Sequence, residues 1–161
     1  MGQHKGKNDN RDRNSNRDRS GSGEIQKIID EIGKLEMLKD LDIKTIADEN
    51  GYADKIAHTL KNMKTAQLRR FFGAIKKIER TIEEEDSEKA WNDVEAEFYL
   101  LKPKIAYAKG RELIPDDFYQ ILKVSLNKIN IGSNEEKIEN FKRFVKFLES
   151  IVAYHKFYGG D

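Results

Sequence analysis

The chain has 161 residues and a mass of 18.7 kDa, with 37% charged and 37% hydrophobic residues and 30 Lys plus Arg against 29 Asp plus Glu, a formal charge of +1. This length predicts one domain with a single modest core, and the balanced charge by itself names no partner. The absence of cysteine excludes disulfides, thiolate zinc sites and cysteine nucleophiles, and with no apolar run near 18 residues and a polar beginning it predicts a cytoplasmic protein with neither signal peptide nor membrane partner.

Residues 1–23 hold no Leu, Ile, Val, Phe, Tyr or Trp and carry a net charge of +3. Nothing there offsets the entropy of ordering, so this stretch is expected to be a disordered polar and basic tail, and residues 24–161 a single helical domain. From Glu24 the apolar spacing is helical. Ile25, Ile28, Ile29 and Ile32 follow the i, i+3, i+4, i+7 template, which Gly33 weakens before Leu35 and Leu38. Asp42 is a cap for a second helix through Ile43, Ile46, Ile56 and Leu60, with Asn50-Gly51 as an interruption or kink. Thr65 is the expected cap of a third helix running to about Glu84. Ser87 is that of a fourth, in which Pro103 demands a kink or a restart. Pro115-Asp116-Asp117 is a start signal for a fifth helix to about Ile131, and Ser133-Asn134 begins a sixth that stops at Gly159-Gly160. No strand alternation or hairpin dipeptide competes, so the expected fold is an all-α, compact five- or six-helix bundle.

Two helices pair an apolar face with a basic one. On a wheel centred on the third helix, Leu68, Phe71, Phe72, Ile75, Ile78 and Ile82 form one arc, while Arg69, Arg70, Lys76, Lys77 and Arg80 lie outside it around a bare Gly73. Between Lys61 and Arg80 seven cations meet one acid, Glu79. A solvated face normally mixes signs, because like charges one and two turns apart repel. Two readings stand: a solvated face balanced by Glu83–Asp86 elsewhere in the fold, or a polyanion site, which the unmixed charge favours. In the last helix Phe141, Phe144, Val145, Leu148, Ile151, Val152 and His155 gather on one side, with Lys142 and Lys146 opposite and Arg143 at the margin. Lys102, Lys104, Lys109 and Arg111 against Glu112 make a third unbalanced segment, and one joint patch is expected. Backbone phosphates are the natural ligand for scattered Lys and Arg. Tyr107, Tyr154, Phe157 and Tyr158 could stack on bases, but a tyrosine on a bundle helix is more often packed with its hydroxyl bonded.

Catalytic chemistry is not legible. His4, His58 and His155 are widely separated, no Glu-x-x-His pair is present, and His155 reads as a packed, hydrogen-bonded imidazole. Phosphate-loop and dinucleotide glycine motifs are absent. The expectation is a protein without enzymatic activity, cofactor, metal or small-molecule substrate.

Three segments carry a family resemblance: Lys64-Thr65-Ala66-Gln67-Leu68-Arg69-Arg70-Phe71-Phe72, Leu101-Lys102-Pro103-Lys104-Ile105-Ala106-Tyr107-Ala108-Lys109-Gly110-Arg111, and the terminal Phe147–Gly160 with its Ala-Tyr-His-Lys. Over roughly residues 40–160 the chain resembles the small subunit of the type III-A CRISPR effector, the Csm complex. The resemblance implies a non-catalytic inner-filament subunit of an antiviral ribonucleoprotein. Its partners would be guide RNA, target RNA, the other Csm subunits and further copies of itself, with a homodimer admitted in isolation. Carried onto this sequence, it implies Lys64, Arg69, Arg70, Lys104, Arg111 and Lys156 as RNA contacts or supports of the RNA face, to which the wheel geometry adds Lys76, Lys77, Lys142, Arg143 and Lys146. Binding would ignore base sequence, since the guide supplies specificity by pairing. The acidic stretch 83–97, with eight acids and one lysine, cannot lie on RNA. The alternative is a protein–protein adaptor whose basic faces meet acidic partner surfaces.

Overall fold

A computed structural model describes the backbone of residues 12–159 and the side chains of residues 23–159. Among these residues the chain forms eight α-helices and no strand: α1 (Asp12–Lys34), α2 (Ile43–Ala47), α3 (Tyr52–Thr59), α4 (Thr65–Glu85), α5 (Ala90–Tyr99), α6 (Leu101–Gly110), α7 (Asp116–Leu126) and α8 (Asn134–Phe157), with a 3-10 turn at Leu38–Asp40. The six predicted spans account for all eight helices, because two spans divide. The expected disordered tail falls, for residues 1–11, outside the described residues; from Asp12 the backbone belongs to α1.

The first division lies where Asn50-Gly51 flagged an interruption. Asn50 adopts a left-handed φ of 59°, which asparagine tolerates better than most residues. At Gly51 a Cβ would stand 2.6 Å from the Thr45 carbonyl oxygen and 2.7 Å from that of Asp48, so only glycine lets the chain fold back between α2 and α3. The second division confirms Pro103 as a restart: α5 ends at Tyr99, and the proline occupies the first turn of α6, where a missing N–H costs nothing. Three local expectations need correction. Ser87 is not the cap of α5, which is Lys89; its hydroxyl accepts from the Lys89 N–H at 3.2 Å, two residues before that cap. Thr65 is the first residue of α4 and not its cap, which is Lys64, and its buried hydroxyl has no partner among the described residues. The fifth predicted helix ends at Leu126, five residues short of Ile131. Asp42 caps α2 by accepting from the Lys44 N–H, and Ser133 and Glu136 close a reciprocal capping box on α8.

The core is one cluster centred on α8, which packs against α2, α3, α4, α5 and the 3-10 turn. The wheel gave this helix one buried side. In the structure Asn140 and Phe147, off that arc, are fully buried as well, because neighbours cover α8 on more than one flank. The α8 terminus is tied down by polar side chains. The Tyr154 hydroxyl donates to the Ala47 carbonyl at 2.6 Å, and Tyr158 donates to the Asp54 carboxylate, which also accepts from the Asn50 N–H at 2.8 Å.

These two donors, Tyr158 first and Asn50 second, hold the Asp54 carboxyl below the ordinary carboxylate range. A depressed folded-state value contributes stability above the unfolded pKa, near 3.9, and loses it as pH falls through the folded one. Denaturant titrations of the wild type and Asp54→Asn should therefore differ most at neutral pH and converge as pH falls through the depressed folded-state value. A gap that persisted undiminished in acid would show that the anion is not what the two donors stabilise.

Candidate nucleic-acid interface

Helix α4 builds the first wall. Leu68, Ile75, Ile78 and Ile82 are buried, and Phe71 and Phe72, expected within the same core-facing arc, are only half-buried at its edge. Arg69, Arg70, Lys77 and Arg80 are exposed on the other side, and among the described residues none has a carboxylate within 4.0 Å. Gly73 lies between them, also exposed, and a Cβ there would meet nothing. Lys64 extends the set from the N-cap position. Cations spaced one and two turns apart without internal counterions leave a local positive potential that an external anion would relieve.

Helix α6 builds the second wall. Leu101 and Ile105 anchor it in the core, which turns Lys102, Lys104 and Tyr107 outward. Tyr107 was expected to be packed; it is instead 62% exposed, because the short helix offers only a narrow buried stripe. Its hydroxyl accepts from the Arg111 Nη1–H at 2.9 Å, and the guanidinium carbon lies 5.7 Å from the ring centroid, a cation–π distance. Between the walls runs a groove of about 630 Å³ lined by Gln67, Arg70, Phe71, Ala74, Leu100, Pro103, Lys104, Tyr107, Ala108 and Leu113, with no carboxylate among them. A neighbouring groove of about 590 Å³ shares Gln67 and Leu113 and carries Lys64 and Lys109, but also Glu112 and Asp116, and Lys109 pairs with Asp116 at 3.7 Å.

The cations predicted on α8 have a different environment. Lys76 Nζ of α4 contacts Glu79 at 2.6 Å and Glu149 of α8 at 3.2 Å, hydrogen bonds that raise its pKa above the ordinary lysine value, and it sits 5.9 Å from the Phe72 ring centroid. Lys146 pairs with the same Glu149 at 3.4 Å. Arg143 donates to the backbone carbonyls of Lys39 and Leu41 and so clamps the 3-10 turn. Lys142 is exposed, in a groove of about 580 Å³ where Glu79, Glu83 and Glu139 accompany the cations. Lys156 is exposed on the last turn of α8. The structure therefore does not join all the predicted cations in one site. It gathers Arg70 and Lys104, with Tyr107 and its partner Arg111, at the α4/α6 groove, while Lys76 and Lys146 serve the α4/α8 seam and Arg143 holds the 3-10 turn on α8. What sequence reading missed is the apolar floor of the groove; its one signal was Leu100 beside the helix break, where 55% of this leucine remains exposed.

The other chemical groups are occupied structurally. His155 is buried, with Nε2 3.0 Å from the Leu60 carbonyl and 3.2 Å from that of Met63, so Nε2 carries the proton and ties α8 to the α3–α4 turn. Glu85 is pushed above the ordinary carboxylate range, chiefly by a hydrogen bond with Asp93. Among the described residues no cluster of three or more His, Asp or Glu is placed to hold a metal ion, and no helix is long and apolar enough to cross a membrane.

Comparison with known proteins places this arrangement in a family. The family model described as Csm2 Type III-A matches residues 42–161. The protein named "CRISPR system Cms protein Csm2" of Enterococcus italicus is 29% identical over 116 residues, covering 71% of this chain and 80% of the relative. Its namesake in Streptococcus thermophilus is 26% identical over 127 residues, covering 71% of this chain and 96% of the relative. No solved structure matches. A family match that extends from the cap of α2 to the last residue, and so takes in both walls of the groove, means that the chain belongs to the Csm2 family, the small subunit of the type III-A CRISPR complex.

Proposed function

We propose that the chain is a non-catalytic, cytoplasmic subunit that lies along the guide–target duplex and holds mainly the target-strand backbone, without sequence preference. Arg69, Arg70 and Lys77 of α4, Lys64 before it, and Lys104 and Arg111 of α6 take phosphates; Lys142 and Lys156 extend the surface along α8. Lys76, Arg143 and Lys146 support it from within the chain through Glu149 and the 3-10 turn. Other Csm subunits and further copies of the chain complete the filament. A single observation carries this reading: Arg69, Arg70, Lys77 and Lys104 are exposed without a carboxylate within 4.0 Å among the described residues, whereas Lys76, Lys109 and Lys146 are each paired with one. Phosphate binding at such sites needs only charge and reach, and repetition along a filament supplies avidity.

The test is the salt dependence of target-RNA binding by the assembled complex. Reversing Arg69, Arg70 and Arg111 to Glu should flatten the slope of log affinity against log salt by about two units, because each phosphate neutralised on a single strand contributes about 0.7 to it. A slope left unchanged would move the basic face to an acidic protein surface and establish the adaptor reading.

A further inference from the structure

The α4/α6 groove has a feature that phosphate binding does not use. Its floor is apolar, built by Phe71, Leu100, Pro103 and Tyr107, while its only charged lining residues are two cations, Arg70 and Lys104. Two other grooves of comparable volume contain carboxylates and no aromatic side chain. We propose that this groove is a base-binding subsite: Tyr107 stacks on an unpaired base of the target RNA strand while Arg70 and Lys104 hold the phosphates beside it. The inference rests on the target-strand reading above and adds a base contact to it.

Three observations converge. Tyr107 exposes 62% of its surface even with its hydroxyl bonded to Arg111, so ring surface is open to a ligand. The Arg111 guanidinium, bonded to that hydroxyl and 5.7 Å from the ring centroid, restrains the ring's rotamers, so less freedom remains to be lost on stacking. An apolar surface bounded only by cations matches a nucleotide, whose flat base lies within one sugar of its phosphate. An amphipathic protein helix would fill the apolar floor equally, but the cations would then require acids at both flanks. Stacking tolerates any base, consistent with binding that ignores sequence.

The experiment uses the assembled complex and target RNA carrying 5-iodouridine at one uridine at a time. Irradiation should join the iodinated base to the peptide containing Tyr107 at one or more target positions. At a position so identified, Tyr107→Ala should weaken binding of the intact target by about five- to a hundredfold and leave binding of a target abasic at that position unchanged, while Tyr107→Phe keeps the intact affinity. Tyr107 is exposed, so the alanine variant retains its core. Equal losses for intact and abasic targets, crosslinks confined to other residues, or crosslinks only from an iodinated guide would overturn the subsite. A groove sealed by a neighbouring subunit, seen as a protein–protein crosslink through Tyr107 that persists with RNA bound, would also overturn it and assign the groove to a helix. The two readings fail separately: a flattened salt slope with no Tyr107 crosslink sinks only the base contact, and an unchanged slope sinks the phosphate contacts.

Discussion

Replacing Trp91 by alanine is expected to destabilise the domain by about 3–5 kcal/mol, the range for removing a fully buried large aromatic. Trp91 is the only tryptophan of the chain, is fully buried in the first turn of α5, and lies 5.2 Å from the Phe98 ring centroid and 6.5 Å from that of Phe141. Phe98 and Phe141 are themselves 6.3 Å apart, and Phe141 is 6.3 Å from Phe144, so one aromatic cluster seats α5 on α8. Against a total stability of about 5–15 kcal/mol, losing this anchor leaves the domain marginal. The indole N–H is buried without a partner among the described residues and already carries the cost of desolvation. Trp91→Phe should therefore cost much less, about 1 kcal/mol, since it removes that orphan while keeping most of the packing. Urea titration followed by circular dichroism measures both variants, and an alanine variant within about 1 kcal/mol of the wild type would mean that α5 is not seated through this residue. The consequence reaches the α4/α6 groove, because α6 follows α5 with only Leu100 between them and carries Lys104, Tyr107 and, at its C-cap, Arg111.

Asn140→Leu should cost about 3 kcal/mol although it nearly conserves shape. The fully buried Asn140 amide accepts from the Lys39 N–H at 2.8 Å and donates to the Ile129 carbonyl at 3.0 Å and that of Ile131 at 3.5 Å. One side chain thus joins the 3-10 turn and the α7–α8 connection to the central helix. Leucine fills the space but leaves a donor and two acceptors without this partner, and a buried unpaired group costs about 1–3 kcal/mol. Hydrogen exchange at the Lys39 amide distinguishes this cause from a packing defect: exchange should accelerate there more than at core amides of α8. Protection retained at Lys39 in the variant would show that another acceptor replaces Asn140.

Helix positions were largely legible because each depends on neighbours in sequence. The capping box of Ser133 and Glu136, the acids after Pro115 and the cap at Asp42 are local chemistry, and each begins its helix in the structure. The breaks at Asn50-Gly51 and before Pro103 were legible for the same reason, since glycine and proline act on their own backbone. Thr65 failed as a cap because Lys64 already has the extended backbone that precedes a helix, which shifts the start by one residue.

The candidate site was legible only as residue types. Both Arg70 and Lys76 read as surface cations on one helix, yet only Lys76 meets Glu149, 73 residues away, and is neutralised within the fold. Arg143 likewise read as a surface cation and is instead hydrogen-bonded to carbonyls more than 100 residues distant. Sequence by itself determined the all-α class, most helix ends, the local runs of unmixed positive charge and the family, all properties of local pattern. Tertiary structure alone decided which cations remain unmatched, which flanks of α8 are covered, and that Tyr107 stands exposed beside Arg70 and Lys104, because pairing and burial depend on contacts between segments that no sequence spacing encodes.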